Sequence, residues 1–205
     1  MSITQKEKQT LAFYDKTPEK YMAGYEKAPS FWKQELDELS MMVPSGRVLD
    51  IGVGKGKEAE VFISAGYEYS GIEPATGLRL ELEKRFPNQQ FISSTIYDWN
   101  LAPHSFDAFW CSAMLLHIPK ENIDFALQQI KKVMKPSAIG FISLAQGKDE
   151  YFDKDSGRYF YLYEDQIFAD ILHKNGFAIK KQGHRSMDTH RQWLRSWLTY
   201  FVEIV

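Results

Sequence analysis

The stretch "VLDIGVGKGKEAE", residues 48–60, decides the fold. A short apolar run from Val48 to Ile51 carries one acid, Asp50, and gives way to glycines at alternate positions, Gly52, Gly54 and Gly56. Helix-forming Lys57, Glu58, Ala59 and Glu60 follow at once. Glycine lets the backbone turn sharply and approach a ligand more closely than any Cβ would permit, and the helix behind it presents unpaired N–H groups. "GVGKG" therefore reads as the floor of a pocket between a strand and a helix.

The same alternation runs outward from this point. "RVLDIG" is a strand and "GKEAEVFISAG" a helix with Ala59, Phe62 and Ile63 facing inward and Gly66 as its stop. "YEYSGIEP", "QFISSTI", "FDAFWCSAM" and "IGFISLA" read as further strands, and "TGLRLELEKRF", "KENIDFALQQIKKVM" and "YEDQIFADILHKNG" as helices. Strands separated by crossover helices predict a doubly wound α/β domain, Rossmann-like, with its parallel sheet covered on both faces. "FAIKKQG" and "WLRSWLTYFVEIV" have no helix between them, which predicts an antiparallel pair at one edge. Residues 1–45 read as a helical N-terminal extension. In it "SFWKQELDELSMMV" opens on a capping Ser30 and places Trp32, Leu36, Leu39 and Val43 on one stripe.

At 205 residues, with 44% hydrophobic and 25% charged, the chain is expected to form one globular domain over 1–205. A net charge of -2 gives no general attraction to nucleic acid or anionic lipid. The single cysteine, Cys111, excludes an intrachain disulfide and a multi-thiolate zinc site, and five scattered histidines lack ligand spacing, so no metal is expected. "MSITQKEKQT" is polar and no apolar run approaches the ~18 residues of a spanning helix. Neither signal peptide nor anchor is expected, and the default location is the cytoplasm.

Glu73 in "GIEP" ends the second strand at about the 20-residue offset of an acid that accepts hydrogen bonds from ribose hydroxyls, which indicates an adenosine-containing cofactor. Dinucleotide folds prefer G-x-G-x-x-G, whose helix N-terminus receives a pyrophosphate. The present spacing is D-x-G-x-G-x-G. A carboxylate at the loop entrance repels pyrophosphate and suits a ligand that carries positive charge, such as an amino group.

In this order the motifs resemble those of class I S-adenosylmethionine-dependent methyltransferases. "VLDIGVGKG" resembles their first motif, "GIEP" their second acidic loop, "SFDAFWCSAMLLHIP" the fourth strand and its exit, and "VMKP" before "IGFISLA" the approach to the fifth strand. The likeness covers about residues 35 to 180. It implies a seven-stranded sheet with a reversed last strand, S-adenosyl-L-methionine as cofactor and S-adenosyl-L-homocysteine as product. It implies that Gly52, Gly54 and Gly56 shape the methionine end with Asp50 at its floor, and that Glu73 holds the ribose. Pro74 and Ala75 border one face of the adenine, Ser94, Thr95 and Ile96 the other, and Cys111, Ser112 and Ala113 line the sulfonium region. Two departures stand out: "SSTIYD" lacks the acid many relatives carry after the third strand, and "KPSAIG" puts Ser137 and Ala138 where a double glycine is common, in a tight turn remote from the chemistry.

A sulfonium methyl is already activated, so transfer needs alignment and desolvation, and positioning alone can supply ~7 to 11 kcal/mol. His117 in "LLHIPKE" is the candidate catalytic residue, as a general base if the acceptor must lose a proton; similar histidines in the family also serve as backbone-bonded structural groups. Tyr14, Tyr21, Tyr25 and Trp32 precede the first motif. Relatives with a "YD…Y" segment fold it over the cofactor, so Tyr14 and Tyr21 are read as lid residues, with core packing as the alternative. "GKDEYFDKDSGRYFYLYEDQ" reads as a long loop that closes over a small acceptor, with Tyr151, Arg158 and Tyr161 as candidates. Arg185, Arg191 and Arg195, interleaved with Trp193 and Trp197, fit an edge strand better than a nucleic-acid surface. The expected activity is methyl transfer to a small-molecule acceptor; the alternatives are an NAD-type oxidoreductase and a non-catalytic S-adenosylmethionine-binding protein.

Overall fold

The computed structural model describes residues 1–16, 18–22, 30–186 and 196–205. Strand β1 (Arg47–Ile51) is buried from Val48 to Ile51 without alternation, as a strand covered on both faces must be. It pairs in parallel with β2 (Glu68–Ile72) on one side and β4 (Phe106–Ser112) on the other, and β2 pairs in parallel with β3 (Phe91–Ile92). β4 pairs in parallel with β5 (Met134–Ala145). The sheet is completed by β8 (Phe177–Ser186) and β9 (Ser196–Ile204), giving the order β3-β2-β1-β4-β5-β9-β8. The chain leaves β1 toward β2 and β3, then crosses back to β4. The strand ends of β1 and β4 therefore flank the point where a crevice must open.

Crossover helices cover this sheet: α4 (Lys57–Ser64), α5 (Thr76–Arg85), α6 (Ile123–Val133) and α7 (Asp165–Lys174). In α6 the 3.6-residue period is plain, with Ile123, Ala126, Leu127, Ile130 and Val133 all buried. The N-terminal region supplies α1 (Gln5–Lys16), α2 (Pro18–Met22) and α3 (Lys33–Met42). In α3 the buried stripe of Leu36 and Leu39 follows Trp32, with Val43 packed against the same core.

Several expectations shift in detail. The antiparallel pair expected at one edge is present, β9 running antiparallel to both β5 and β8 with β8 outermost. Lys180, Lys181 and Gln182 are exposed on that edge, and charge there discourages pairing with a second sheet. The strand expected over "QFISSTI" stops at Ile92, because Asp98 Oδ1 accepts the Thr95 N–H (2.7 Å), the Thr95 hydroxyl (2.6 Å) and the Ser94 hydroxyl (3.1 Å), a local turn that outcompetes the ladder. The turn in "KPSAIG" survives as a left-handed Ser137 (φ 60°) within β5. Residues 147–166 hold a hairpin, β6 (Glu150–Phe152) with β7 (Tyr159–Tyr161), where a loop was expected; its turn is closed by Asp153, which accepts the Ser156 hydroxyl at 2.6 Å. Ser30 accepts the Trp32 N–H at 3.0 Å but stands two residues before the cap position, which Trp32 occupies. Tyr25, Arg191, Trp193 and Arg195 lie outside the described residues.

Candidate functional site

The glycine turn does what its sequence requires. Gly52 (φ 80°), Gly54 (φ 56°) and Gly56 (φ 72°) all occupy the left-handed region that side chains resist. A Cβ on Gly52 would lie 2.8 Å from Met114 Cγ, whereas one on Gly54 would meet nothing closer than the Tyr21 hydroxyl at 3.6 Å. Gly54 therefore faces open space. Glu73, buried at the end of β2, ties the two loops together: its Oε2 accepts the Gly54 N–H and its Oε1 the Ala75 N–H, each at 2.9 Å. Burial pushes its carboxyl up from 4.5 to about 7, against the pull of those two N–H groups.

A cleft opens over this floor, bordered by Gly52, Gly54, Glu73, Pro74, Ser94, Thr95, Ile96, Ser112 and Ala113. Tyr14, Tyr21 and Leu11 close it from the N-terminal helices, and Met114, His117 and Ile118 from the exit of β4. Ala113 is itself left-handed (φ 54°), held by Ser143, whose carbonyl and hydroxyl oxygens each accept the Ala113 N–H at 3.1 Å. A second cavity shares Tyr21, Gly52, Gly54, Ser112 and Ala113 with the first and continues past Asp50 to Phe31, Trp32 and Trp110. Asp50 accepts the Tyr69 hydroxyl at 2.9 Å; burial raises its carboxyl well above the usual range, and Glu58 beside it adds to the rise.

Three residues named from the sequence stand behind the wall. Gly56 caps α4, where a Cβ would sit 2.6 Å from Leu82 Cδ2, so its role is close helix packing. Ala75 is fully buried at the start of α5, and fully buried Cys111 has its thiol pushed up by desolvation.

His117 borders the cleft with both ring nitrogens engaged. Nδ1 lies 2.7 Å from the Tyr159 carbonyl oxygen, which only an N–H can satisfy, so Nε2 is the acceptor and the Tyr14 hydroxyl, 3.3 Å away, the donor. The Tyr14 oxygen in turn accepts from Arg158 Nη1 at 2.8 Å. Burial lowers His117 to about 3, so the imidazole is neutral at physiological pH and a weak proton acceptor. Tyr14 is shifted the other way, burial raising its phenol.

Sequence reasoning missed this chain of contacts, although Arg158 had been singled out in its loop. Arg158, Tyr151 and Tyr161 border neither cavity; the hairpin reaches the cleft through the bond from Arg158 to Tyr14. Also missed were Glu7 and Tyr97, which line the cleft and meet at 2.7 Å, the Tyr97 hydroxyl donating. No local signal marks either residue. Arg185 donates to the Phe31 carbonyl at 2.9 Å and Trp197 packs on Trp32 at 5.7 Å, so both bind the edge hairpin to α3. Among the described residues no group of three or more His, Cys, Asp or Glu could hold a metal ion, and no helix is long and apolar enough to cross a membrane.

A doubly wound seven-stranded sheet with one reversed strand, a glycine floor at its switch point and an acid at the end of β2 define the Rossmann-like methyltransferase fold. The family described as "Methyltransferase domain" matches residues 49–142, the span from β1 into β5 that holds the glycine turn and Glu73. An uncharacterized methyltransferase of Oceanobacillus iheyensis is 25% identical over 155 residues, 76% of this chain and 67% of that protein. A ubiquinone biosynthesis O-methyltransferase of Vibrio cholerae is 32% identical over 102 residues, 47% of this chain and 41% of that protein, so the match spans less than half of its length. Among solved structures, a Burkholderia thailandensis 1,6-didemethyltoxoflavin-N1-methyltransferase with bound 1,6-didemethyltoxoflavin and S-adenosylhomocysteine superimposes with a TM-score of 0.77 over 100% of this chain and 92% of that one. At 14% identity that likeness shows the fold.

Proposed function

We propose that this protein binds S-adenosylmethionine across the two joined cavities and transfers its methyl group to a small-molecule acceptor, releasing S-adenosylhomocysteine. The observation that carries the reading is Glu73. Among the described residues each of its oxygens accepts a single backbone N–H, which leaves lone pairs for a ligand, at the switch point of the sheet and against a glycine turn open to the cleft, and this suits the paired hydroxyls of a ribose. Pro74 and the Ser94–Ile96 segment would border the adenine, Gly52, Gly54, Ser112 and Ala113 the sulfur, and Asp50 the amino group. Gly56, Ala75 and Cys111 support these from behind.

The bound cofactor supplies an activated methyl group. The chain supplies enclosure: Tyr14 and Tyr21 present aromatic rings 4.9 Å apart that roof the cleft and exclude water. His117 narrows from general base to positioning residue, because its one accepting nitrogen is directed at Tyr14 and its affinity for protons is low. A small acceptor is supported by two of the similar proteins, whose names specify ubiquinone biosynthesis and 1,6-didemethyltoxoflavin. The proposal has the protein work in the cytoplasm as one domain over 1–205.

Calorimetric titration with S-adenosylhomocysteine and with NADH tests the reading. Binding of the first is expected, and tight binding of NADH alone would replace methyl transfer with oxidoreduction. Incubating cell extract with the enzyme and a deuterated-methyl cofactor, followed by mass spectrometry, identifies the acceptor. Cofactor binding with no labelled product from any extract would leave a non-catalytic binding protein.

A further inference from the structure

Arg158 and Tyr159 stand at the start of β7 and border neither cavity, yet between them they reach both partners of the Tyr14 hydroxyl. Arg158 Nη1 donates to that hydroxyl at 2.8 Å. The Tyr159 carbonyl, 2.7 Å from His117 Nδ1, fixes the ring whose Nε2 accepts from it at 3.3 Å. The Tyr159 N–H also donates to the Thr10 hydroxyl, one turn before Tyr14 on α1, at 2.9 Å. Arg158 is itself set by its own hairpin. Its Nε donates to Ser156 Oγ at 3.0 Å and its Nη2 lies 3.7 Å from Asp153 Oδ2. Ser156 donates in turn to Asp153 at 2.6 Å, across a turn that the left-handed Gly157 (φ 68°) allows. The side chain is 11% exposed, and its guanidinium lies among the rings of Phe13, Tyr14 and Phe160, with centroids 4.9, 5.5 and 5.2 Å away. A planar fork held in this way has one orientation, so Tyr14 is the partner that takes its position from the other.

A phenol engaged both as donor and as acceptor keeps its ring in one place, here bordering the cleft beside Tyr21. Any buried charge-assisted bond adds to stability. What singles this one out is that its far end is one of the two rings that roof the cleft. We propose that Arg158 is a positioning residue: from outside the cleft it sets the Tyr14 ring against the bound cofactor, so that the β6–β7 hairpin governs how tightly the cofactor is held. The inference rests on the cofactor reading above and extends it to a segment that borders neither cavity. It gives the segment between β5 and α7 a task other than the contact with the acceptor that its sequence suggested.

Calorimetric titration with S-adenosylhomocysteine, run well below the Tm of every variant, tests this through a double-mutant cycle. Arg158→Gln and Tyr14→Phe should each weaken binding on the order of 10-fold, the low end for a hydrogen bond to a charged group. The double variant should bind no more weakly than either single one, because both changes break the same link. Arg158→Lys, which keeps a cationic donor but not the fork, should fall between Arg158→Gln and the wild type. Fully additive losses, or an Arg158→Gln protein that melts earlier yet binds as the wild type does, reduce the bond to stability alone and overturn the proposal while the cofactor reading stands. Should Arg158→Gln not fold, hydrogen exchange in the wild type decides: S-adenosylhomocysteine should slow exchange of the Tyr159 amide, and a rate unchanged by the ligand overturns the proposal. A wild-type protein that does not bind S-adenosylhomocysteine overturns the cofactor reading and this inference with it.

Discussion

The floor of the cleft and its roof are built in opposite ways. The floor is backbone: β1 is buried on both faces, its glycine turn lies in left-handed conformations, and Glu73 is pinned by two N–H groups. The roof is side chain: α1 meets β7 and the exit of β4 through the Tyr14 hydroxyl, the Arg158 guanidinium and His117, and through the Thr10 hydroxyl, which accepts the Tyr159 N–H at 2.9 Å. Backbone held by a buried sheet has one arrangement, whereas contacts between long side chains can be exchanged for water. The contrast suits an enzyme that must keep one ligand in register while another enters and leaves.

The sharpest way to break the comparison is at Gly56. Gly56→Ala forces a side chain into a left-handed conformation and into Leu82, and about 2–4 kcal/mol of stability should be lost in urea denaturation. A loss below 1 kcal/mol would mean that the floor gives as readily as the roof. Glu73→Gln comes next. It should weaken S-adenosylhomocysteine by at least about 1 kcal/mol, since the charged acceptor is gone. In the wild type, affinity should rise as pH rises through about 7, by up to about tenfold between pH 6 and pH 8, because ribose hydroxyls favour the ionised carboxylate. The Gln variant should be flat over that range. The sign for stability is reversed: a carboxyl raised from 4.5 to about 7 in the fold contributes most below 4.5 and loses that contribution as pH climbs toward 7.

Smaller effects belong to the roof. Tyr14→Phe removes the acceptor of Arg158 and the donor to His117, and should cost about 1–2 kcal/mol, read as a lower Tm. Tyr21→Phe should slow turnover or loosen the cofactor with the fold intact; wild-type behaviour in both would return the ring to core packing. Lys6→Gln, at the exposed pair with Glu150 between α1 and β6, should shift stability by less than about 0.5 kcal/mol.

Local pattern carried the floor into legibility. Val48 to Ile51, the alternate glycines and Glu73 encode their conformation and position within a few residues of themselves, so strand, turn, helix and acid were all readable. The roof was readable only as composition. Tyr14 and His117 are 103 residues apart in the chain and Tyr14 and Arg158 144 apart, and nothing in the neighbourhood of any of them specifies the others. The hairpin of β6 and β7 was hidden for the same reason: each strand is three residues long and gains its stability from α1 and the exit of β4. β3 was read too long because Phe91 and Ile92 lead into Ser94 and Thr95, whose side chains prefer Asp98 to a ladder.

The placement of β9 bears on synthesis. Ser196–Ile204 fill a slot between β5 and β8, both of which precede it in the chain. Until this segment is in place β5 ends the five-stranded parallel part of the sheet with an unpaired border, and β8 has no strand to pair with. Closure of that gap is a long-range event, because β9 must reach β5 across the whole of α7 and β8.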